Sequence, residues 1–298
     1  MENELFFERL KNDAEIFSAA IDKKIYAADD KELSGLFDSA RYSLMAGGKR
    51  IRPVLALEFC RLFGGKDECV IPYGVALEMI HTASLIHDDL PAIDNDDLRR
   101  GRPTNHKVYG ESTALLAGDS MFLDPFGVIA DNNLLSAELN IQAVSYLSHA
   151  TGAYGLVGGE FIDTVGECRE LTEVQLIKTH SLKTGALIRA AAVLGATAAG
   201  VKLADPKMND VITYANCIGL CFQIVDDMLD VIGTVEALGK TPGSDERENK
   251  TTFLSFYTLD EAKKKAENIT DEAIAAISKY EGSEFLVSFA KYLLDRKN

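Results

Sequence analysis

Residues 85–101 read Leu85-Ile86-His87-Asp88-Asp89-Leu90-Pro91-Ala92-Ile93-Asp94-Asn95-Asp96-Asp97-Leu98-Arg99-Arg100-Gly101. Five aspartates lie within ten residues and run straight into two arginines. They follow an apolar run from Val75 to Ile86 that reads as a buried helix. Neighbouring carboxylates resist ionising together unless a cation joins them. Oxygen-only ligands in such density suit Mg²⁺, which binds a few carboxylates and fills its octahedron with water and phosphate oxygens. The stretch therefore reads as a magnesium–phosphate site, with the arginines meeting the remaining phosphate charge. The blander alternative is a solvated acidic loop.

A second segment echoes the first. Val225-Asp226-Asp227-Met228-Leu229-Asp230 also closes an apolar helix. Asp226 and Asp230, four apart, share one helix face a turn apart. Asp88 and Asp94, six apart, would diverge on a regular helix, but Pro91 breaks the helix and lets Asp94 return toward Asp88. Two such clusters on facing helices could hold several Mg²⁺ ions around one diphosphate and neutralise it as a leaving group. The carbon cation left behind needs a dry, apolar cavity, which the helices behind the aspartates could wall.

The rest of the chain reads as helix. Apolar residues recur at helical spacing over 4–28, 32–46 and 53–63, with Gly47-Gly48 and Gly64-Gly65 as stops and Pro53 in a first turn. Pro72 is expected to open the helix that carries the first aspartates. Helices follow over 111–131 and 134–149, with Asp124-Pro125 expected to interrupt and kink the first of these. Thr172 and Gln175 form a capping pattern. Residues 183–200 and 208–232 are apolar enough on all sides to be central. A polar loop covers 239–250, and two closing helices are expected over 251–268 and about 270–296. Strand signals are weak throughout. The fold class expected is all-α: one large helical bundle around a central apolar cavity, occupying 1–298 as a single domain.

Composition narrows the partners. The 298 residues carry 31 Lys and Arg against 46 Asp and Glu, a net charge of −15. That balance argues against nucleic acid or an anionic membrane as the main partner. Five cysteines, an odd number, read as free thiols in a reducing compartment. The acidic N-terminus has no signal-like apolar region, and no stretch is expected to span a membrane. The expected location is the cytoplasm.

Cations are placed to complement the acidic runs. Lys49 and Arg52 flank a helix start, where backbone N–H groups also favour anions. Arg99 and Arg100 follow the first motif, Lys183 opens the apolar helix, and Lys240 and Lys250 lie in the polar loop. Any one alone reads as a surface cation. Together they supply charge for two diphosphates.

These motifs, in this order, resemble the trans-isoprenyl diphosphate synthases, the farnesyl and geranylgeranyl diphosphate synthase family. The resemblance rests on Gly47-Gly48-Lys49-Arg50-Ile51-Arg52-Pro53, His81, the first aspartate motif with Arg99-Arg100-Gly101, Gly118-Asp119, Lys183-Thr184-Gly185, and Phe222-Gln223-Ile224-Val225-Asp226-Asp227-Met228-Leu229-Asp230. It implies Asp88, Asp94 and Asp226 as principal Mg²⁺ ligands, with Asp89, Asp227 and Asp230 as ligands or support, and three ions per site. It implies that Arg99, Lys183 and Lys240 hold the allylic diphosphate, while Lys49, Arg52, His81 and Arg100 hold isopentenyl diphosphate. Thr184 and Gln223 would present oxygens to the developing cation. His87 reads as structural. The reaction implied is ionisation, attack by the isopentenyl double bond and loss of a proton to the departing diphosphate. A homodimer is the family default.

Product length is argued from the helix behind Asp88. Ala83, five residues back, lies about 7.5 Å down that helix. Farnesyl-producing bacterial relatives usually carry a large aromatic residue there as a floor. Ala83 and the small Ser84 remove it, which implies a product longer than C15, with a lean to C20. Ile80, Met121 and Phe122 are the next candidate floors. Three features depart from the family pattern: Glu160 stands where Gln is usual, with Asp163 close by; Asp124-Pro125 falls in a helix that is usually continuous; and Cys217 and Cys221 resemble a pair in plant subunits that form heteromers. Two other readings remain. A terpene cyclase would not need the Lys49, Arg52 and His81 set, and a non-catalytic partner subunit typically loses one aspartate motif. Both motifs are present here.

Overall fold

The computed structural model describes residues 1–27, 30–166, 171–232 and 251–296. Among these residues the chain is built from α-helices, with a single two-stranded hairpin. The first helix, α1 (Asn3–Lys24), buries Phe6, Leu10, Phe17 and Ile21 on the face that the apolar spacing lays down. After it come α2 (Ser34–Leu44), α3 (Ile51–Leu62) and α4 (Asp67–Asp88). A hairpin of β1 (Leu98–Arg99) and β2 (Arg102–Pro103) leads into the short α5 (Asn105–Tyr109) and then α6 (Glu111–Ala130). Next are α7 (Ala137–Thr151), α8 (Leu156–Gly166) and α9 (Glu173–His180), which passes through a π-helical turn, Ser181–Gly185, into α10 (Ala186–Ala198). The chain closes with α11 (Pro206–Ile232), a 3₁₀ turn (Phe253–Ser255), α12 (Leu259–Ile277) and α13 (Glu284–Asp295).

The centre falls where all-round apolarity puts it. Helix α10 is buried on nearly every side and packs against α3, α4, α7 and α11. Its approach to α3 depends on Gly195, where an added Cβ would lie 2.2 Å from the Ala56 carbonyl oxygen. Helix α4 lies against both α3 and α6, and α11 against α12. The expected capping box at Thr172 is formed: its hydroxyl accepts the Gln175 N–H, and the Gln175 side chain accepts the Thr172 N–H.

Several boundaries differ from the sequence reading. Pro72 does not open α4, which starts five residues earlier at Asp67 and carries Pro72 in its second turn. Helix α6 runs Glu111–Ala130 with Pro125 inside it, within one residue of the expected 111–131. The closing helices divide at residues 278–283 and not at 268–270. The Thr270 hydroxyl back-bonds to the Ala266 carbonyl inside α12, and the break comes at Gly282, whose φ is 87°. The hairpin was not foreseen. Arg100 and Gly101 turn it at φ 54° and 74°, a two-residue turn without the usual Asn-Gly signal.

Two helices, α4 and α6, are long and apolar enough to cross a membrane by length and composition, contrary to the expectation of none. For α4 the reason is core burial, since two thirds of its apolar window is inside the protein. For α6 only a third is, so much of its apolar surface faces outward.

Candidate active site

The first aspartate motif bends as Pro91 requires. Helix α4 ends at Asp88, and the chain turns back so that the Asp94 N–H donates to the Asp88 carbonyl at 2.9 Å. Asn95, at φ 53°, completes the turn. Asp94 is thereby returned beside Asp88, as expected. Asp89 is different: it is buried, and its Oδ1 accepts from Arg99 Nε at 2.9 Å and from Nη2 as well. It orients Arg99. Asp96 pairs loosely with Arg99 at 3.5 Å, and Asp97 with Lys107 at 2.8 Å.

The hairpin separates two adjacent arginines. Arg99, in the strand, points to Asp89. Arg100, in the turn, reaches the Gly47 carbonyl and lies flat against Gly48, where an added Cβ would come within 2.9 Å of its guanidinium. That position puts Arg100 among Lys49, Arg52 and His81. Arg52 has a buried Nε with no hydrogen-bond partner among the described residues. Burial holds the Arg52 pKa below its usual range, and Arg100 lowers it further while Glu78 opposes. His81 is pushed well below the usual imidazole range by burial and then by Arg52, Arg100, Arg50 and Arg99, so it stands neutral. A buried cluster short of negative charge is suited to an anion. Lys49 Nζ reaches the Tyr292 hydroxyl of α13 at 3.2 Å.

The second motif lies on α11. Asp226 is half exposed, and its Oδ1 accepts from Arg296 Nη2 at 2.6 Å. Arg296 stacks on the Phe222 ring at 4.1 Å. Asp227 is buried and its Oδ2 accepts the Phe253 N–H at 2.7 Å, tying α11 to the 3₁₀ turn. Asp230 is buried as well. Gln223 and Thr184 are half-buried. Lys240 lies outside the described residues.

Lys183 is placed by the π-helical turn. Helix α8 packs tightly on that turn, because a Cβ at Gly159 would fall 2.2 Å from the Lys183 backbone nitrogen. The next residue, Glu160, meets the Lys183 ammonium at 2.8 Å, and Asp163 meets it at 2.6 Å. These partners raise the Lys183 pKa.

A cavity of about 300 Å³ opens beside Asp88. Ser84 and His87 of α4, Phe122 of α6, and Val157, Glu160, Phe161 and Val165 of α8 line it, and nearly all of its lining is apolar. Ser84, His87 and Asp88 follow the i, i+3, i+4 rule and share one face. Ala83 and Ile80 do not line it. Both are entirely buried in the core. Met121 is buried likewise, and Phe122 is the bulk that faces the cavity. His87 Nε2 donates to the Leu115 carbonyl, 3.1 Å away, and braces α4 on α6.

Among the described residues no three carboxylates or imidazoles converge closely enough to form a ready metal site. The donor set nonetheless fits a hard divalent cation: Asp88, Asp94 and Asp226 offer carboxylate oxygen only. The Asp88 carboxyl is pushed up to about 7, first by burial and then by the Glu160 carboxylate. Burial is the larger cause, and Lys183 and Arg99 oppose it only in part.

Two partners went unseen in the sequence. Tyr292 and Arg296 of the closing segment reach Lys49 and Asp226 across more than sixty residues of chain, with no local signal to announce them. The grip of Glu160 and Asp163 on Lys183 was foreshadowed only by opposite charges about twenty residues apart.

This geometry has close relatives. Residues 34–285 match the polyprenyl synthetase family. The geranylgeranyl diphosphate synthase of Cyanophora paradoxa is 46% identical over 266 residues, covering 88% of each chain. A dimethylallyltranstransferase of Fischerella ambigua is 45% identical, over 88% of this chain and 76% of its own. The crystal structure of an FPP/GFPP synthase from Zymomonas mobilis superposes with a TM-score of 0.83 at 33% identity, covering 95% of this chain and 98% of its own. The chain belongs to the polyprenyl synthetase family, the trans-isoprenyl diphosphate synthases. It is a prenyltransferase.

Proposed function

We propose that this enzyme condenses isopentenyl diphosphate with allylic diphosphates and releases mainly the C20 product, geranylgeranyl diphosphate. The observation that carries the length is the apolar cavity beside Asp88, with the small Ser84 at its mouth and Phe122 as the bulk beyond. The naming of the Cyanophora relative supports the same length.

Asp88, Asp94 and Asp226 would hold Mg²⁺, three ions in all, with Asp227 and Asp230 in support and Asp89 orienting Arg99. When bound, the metal neutralises the diphosphate leaving group. Arg99 and Lys183 bind the allylic diphosphate. Arg52, Arg100, Lys49 and the neutral His81 bind the diphosphate of the second substrate. As the allylic carbon–oxygen bond breaks, the cavity wall keeps water from the cation, and Thr184 and Gln223 offer oxygens toward its charge. The isopentenyl double bond attacks the allylic C1, a carbon–carbon bond forms, and the departing diphosphate takes the proton that restores a double bond.

The enzyme acts as a homodimer in this proposal. Leu116 and Leu123 of α6, Ile141 of α7 and Phe161 of α8 form an exposed apolar face. Val157, Phe161 and Val165 belong to that face and to the cavity wall, so a second copy seated there would close the cavity.

The test is incubation with Mg²⁺, dimethylallyl diphosphate and isopentenyl diphosphate, followed by chromatography of the dephosphorylated products. A C20 alcohol is expected. Consumption of a prenyl diphosphate without isopentenyl diphosphate would instead make the protein a cyclase, and a C15 end product would refute the length.

A further inference from the structure

Lys183, carried by the π-helical turn, meets the carboxylates of α8 and is already neutralised by them. Its ammonium meets Glu160 at 2.8 Å and Asp163 at 2.6 Å. Thr164, one turn further along α8, donates to Glu160 at 3.4 Å and helps to fix it. The two carboxylates are not equivalent. Glu160 and Asp88 line the same cavity, whereas Asp163 is not part of its wall. Glu160 is also the largest charged influence on Asp88, second only to burial. At this end of the site, among the described residues, Lys183 and Arg99 stand against the carboxylates of Asp88, Asp94, Glu160 and Asp163. A bare diphosphate approaching it meets net negative charge, in a setting where water screens poorly.

We propose that Glu160 makes this end of the site selective for a diphosphate that arrives with its metal, because its carboxylate both occupies Lys183 and faces Asp88. The role rests on the reading of the site as an allylic diphosphate site. Glu160 is a specificity-determining residue. It withholds the ammonium from metal-free diphosphate and releases it when divalent charge balances Asp88 and Glu160 together. An uncomplexed anion of similar shape, such as free diphosphate or a phosphorylated metabolite, is thereby refused.

Glu160→Gln separates the two functions of the side chain. The amide keeps an oxygen for Lys183 and a similar volume, and it removes the charge facing Asp88. Binding of inorganic diphosphate is measured by calorimetry, once in EDTA and once in saturating Mg²⁺, on wild type, Glu160→Gln and Asp163→Asn. Glu160→Ser serves as a second variant if the amide unfolds the protein. Wild type is expected to bind diphosphate only with Mg²⁺. Glu160→Gln is expected to gain about tenfold or more in metal-free affinity, and Asp163→Asn markedly less. A metal-free affinity in Glu160→Gln within twofold of wild type overturns the proposal. An equal gain in Asp163→Asn also overturns it, because the carboxylates would then be interchangeable clamps. Failure of wild type to bind diphosphate even with Mg²⁺ strikes the functional reading itself and is distinguishable from both.

Discussion

His180 shows how strongly one side chain can record its surroundings. It is buried against Phe253, and burial pulls its pKa down to about 4; Asp163 and Asp226 oppose this and Lys183 reinforces it. A neutral buried imidazole costs stability when the unfolded chain can bind a proton that the folded one cannot. Its stability is therefore intact above about pH 6.5 and is lost as pH falls toward 4, by roughly 3 kcal/mol from this residue. Urea unfolding of metal-free protein across pH 4–7 should show that loss, and His180→Phe should be less acid-sensitive over the same window. Residue-scale geometry also bears on product control. Ser84→Phe, which fills the cavity mouth, should shorten the product to C15 or less, and Phe122→Ala should lengthen it beyond wild type, both read by product chromatography. Ala83→Tyr should instead overpack the core and cost about 1–3 kcal/mol, seen as a lower melting temperature. The Asp motifs were legible because their spacing survives in one dimension. The cavity lining was less legible, because Phe122, Val157 and Phe161 reach it from α6 and α8, far from Asp88 along the chain.

At the scale of elements, the junction of α2, α3 and α4 holds the basic half of the site. Arg50 enters α3 from a left-handed backbone position, φ 48°, and is itself buried. Its Nη1 meets Glu78 of α4 at 2.5 Å and its Nη2 donates to the Leu44 carbonyl at the end of α2 at 2.6 Å. One side chain thus fixes the helix whose start carries Lys49 and Arg52 relative to the helix that carries His81. Arg50→Met should destabilise the protein by about 3–5 kcal/mol, since it strands a buried carboxylate. Denaturant midpoints would measure this, and Arg50→Met with Glu78→Leu should recover much of the loss. Helix existence was readable from apolar period, and the cap at Thr172 confirms how local such signals are. Boundaries set by tertiary context were not. Pro72 and Pro125 lie inside helices because neighbouring packing outweighs one missing hydrogen bond in each.

For the whole molecule, the apolar outer face of α6, α7 and α8 is the feature with the widest reach. Leu123 is 70% exposed and Phe161 66%, values that match poorly with a surface in permanent contact with water. Leu123→Glu combined with Phe161→Glu should shift the protein from dimer to monomer in light scattering. Because Phe161 also walls the cavity, the same variant should broaden the product distribution. An unchanged mass would remove the dimer from the proposal. The sequence carried this face only as an unusually apolar α6, which the membrane-like composition of that helix reflects.

The turn between Arg99 and Arg100 has a thermodynamic consequence. The two guanidiniums belong to neighbouring residues, yet one is oriented by Asp89 and the other by Gly47. Anchoring either side chain on an anion restricts the same short hairpin and so prepays part of the ordering of the other. Occupancy of the two subsites is therefore coupled, and coupling is reciprocal: each substrate should tighten the other by the same factor. Titrating an unreactive allylic analogue with and without isopentenyl diphosphate, and then the reverse, measures both factors. Inserting one glycine after Gly101 should bring them toward unity while leaving each separate affinity less affected, the behaviour of two sites that have lost their common hinge.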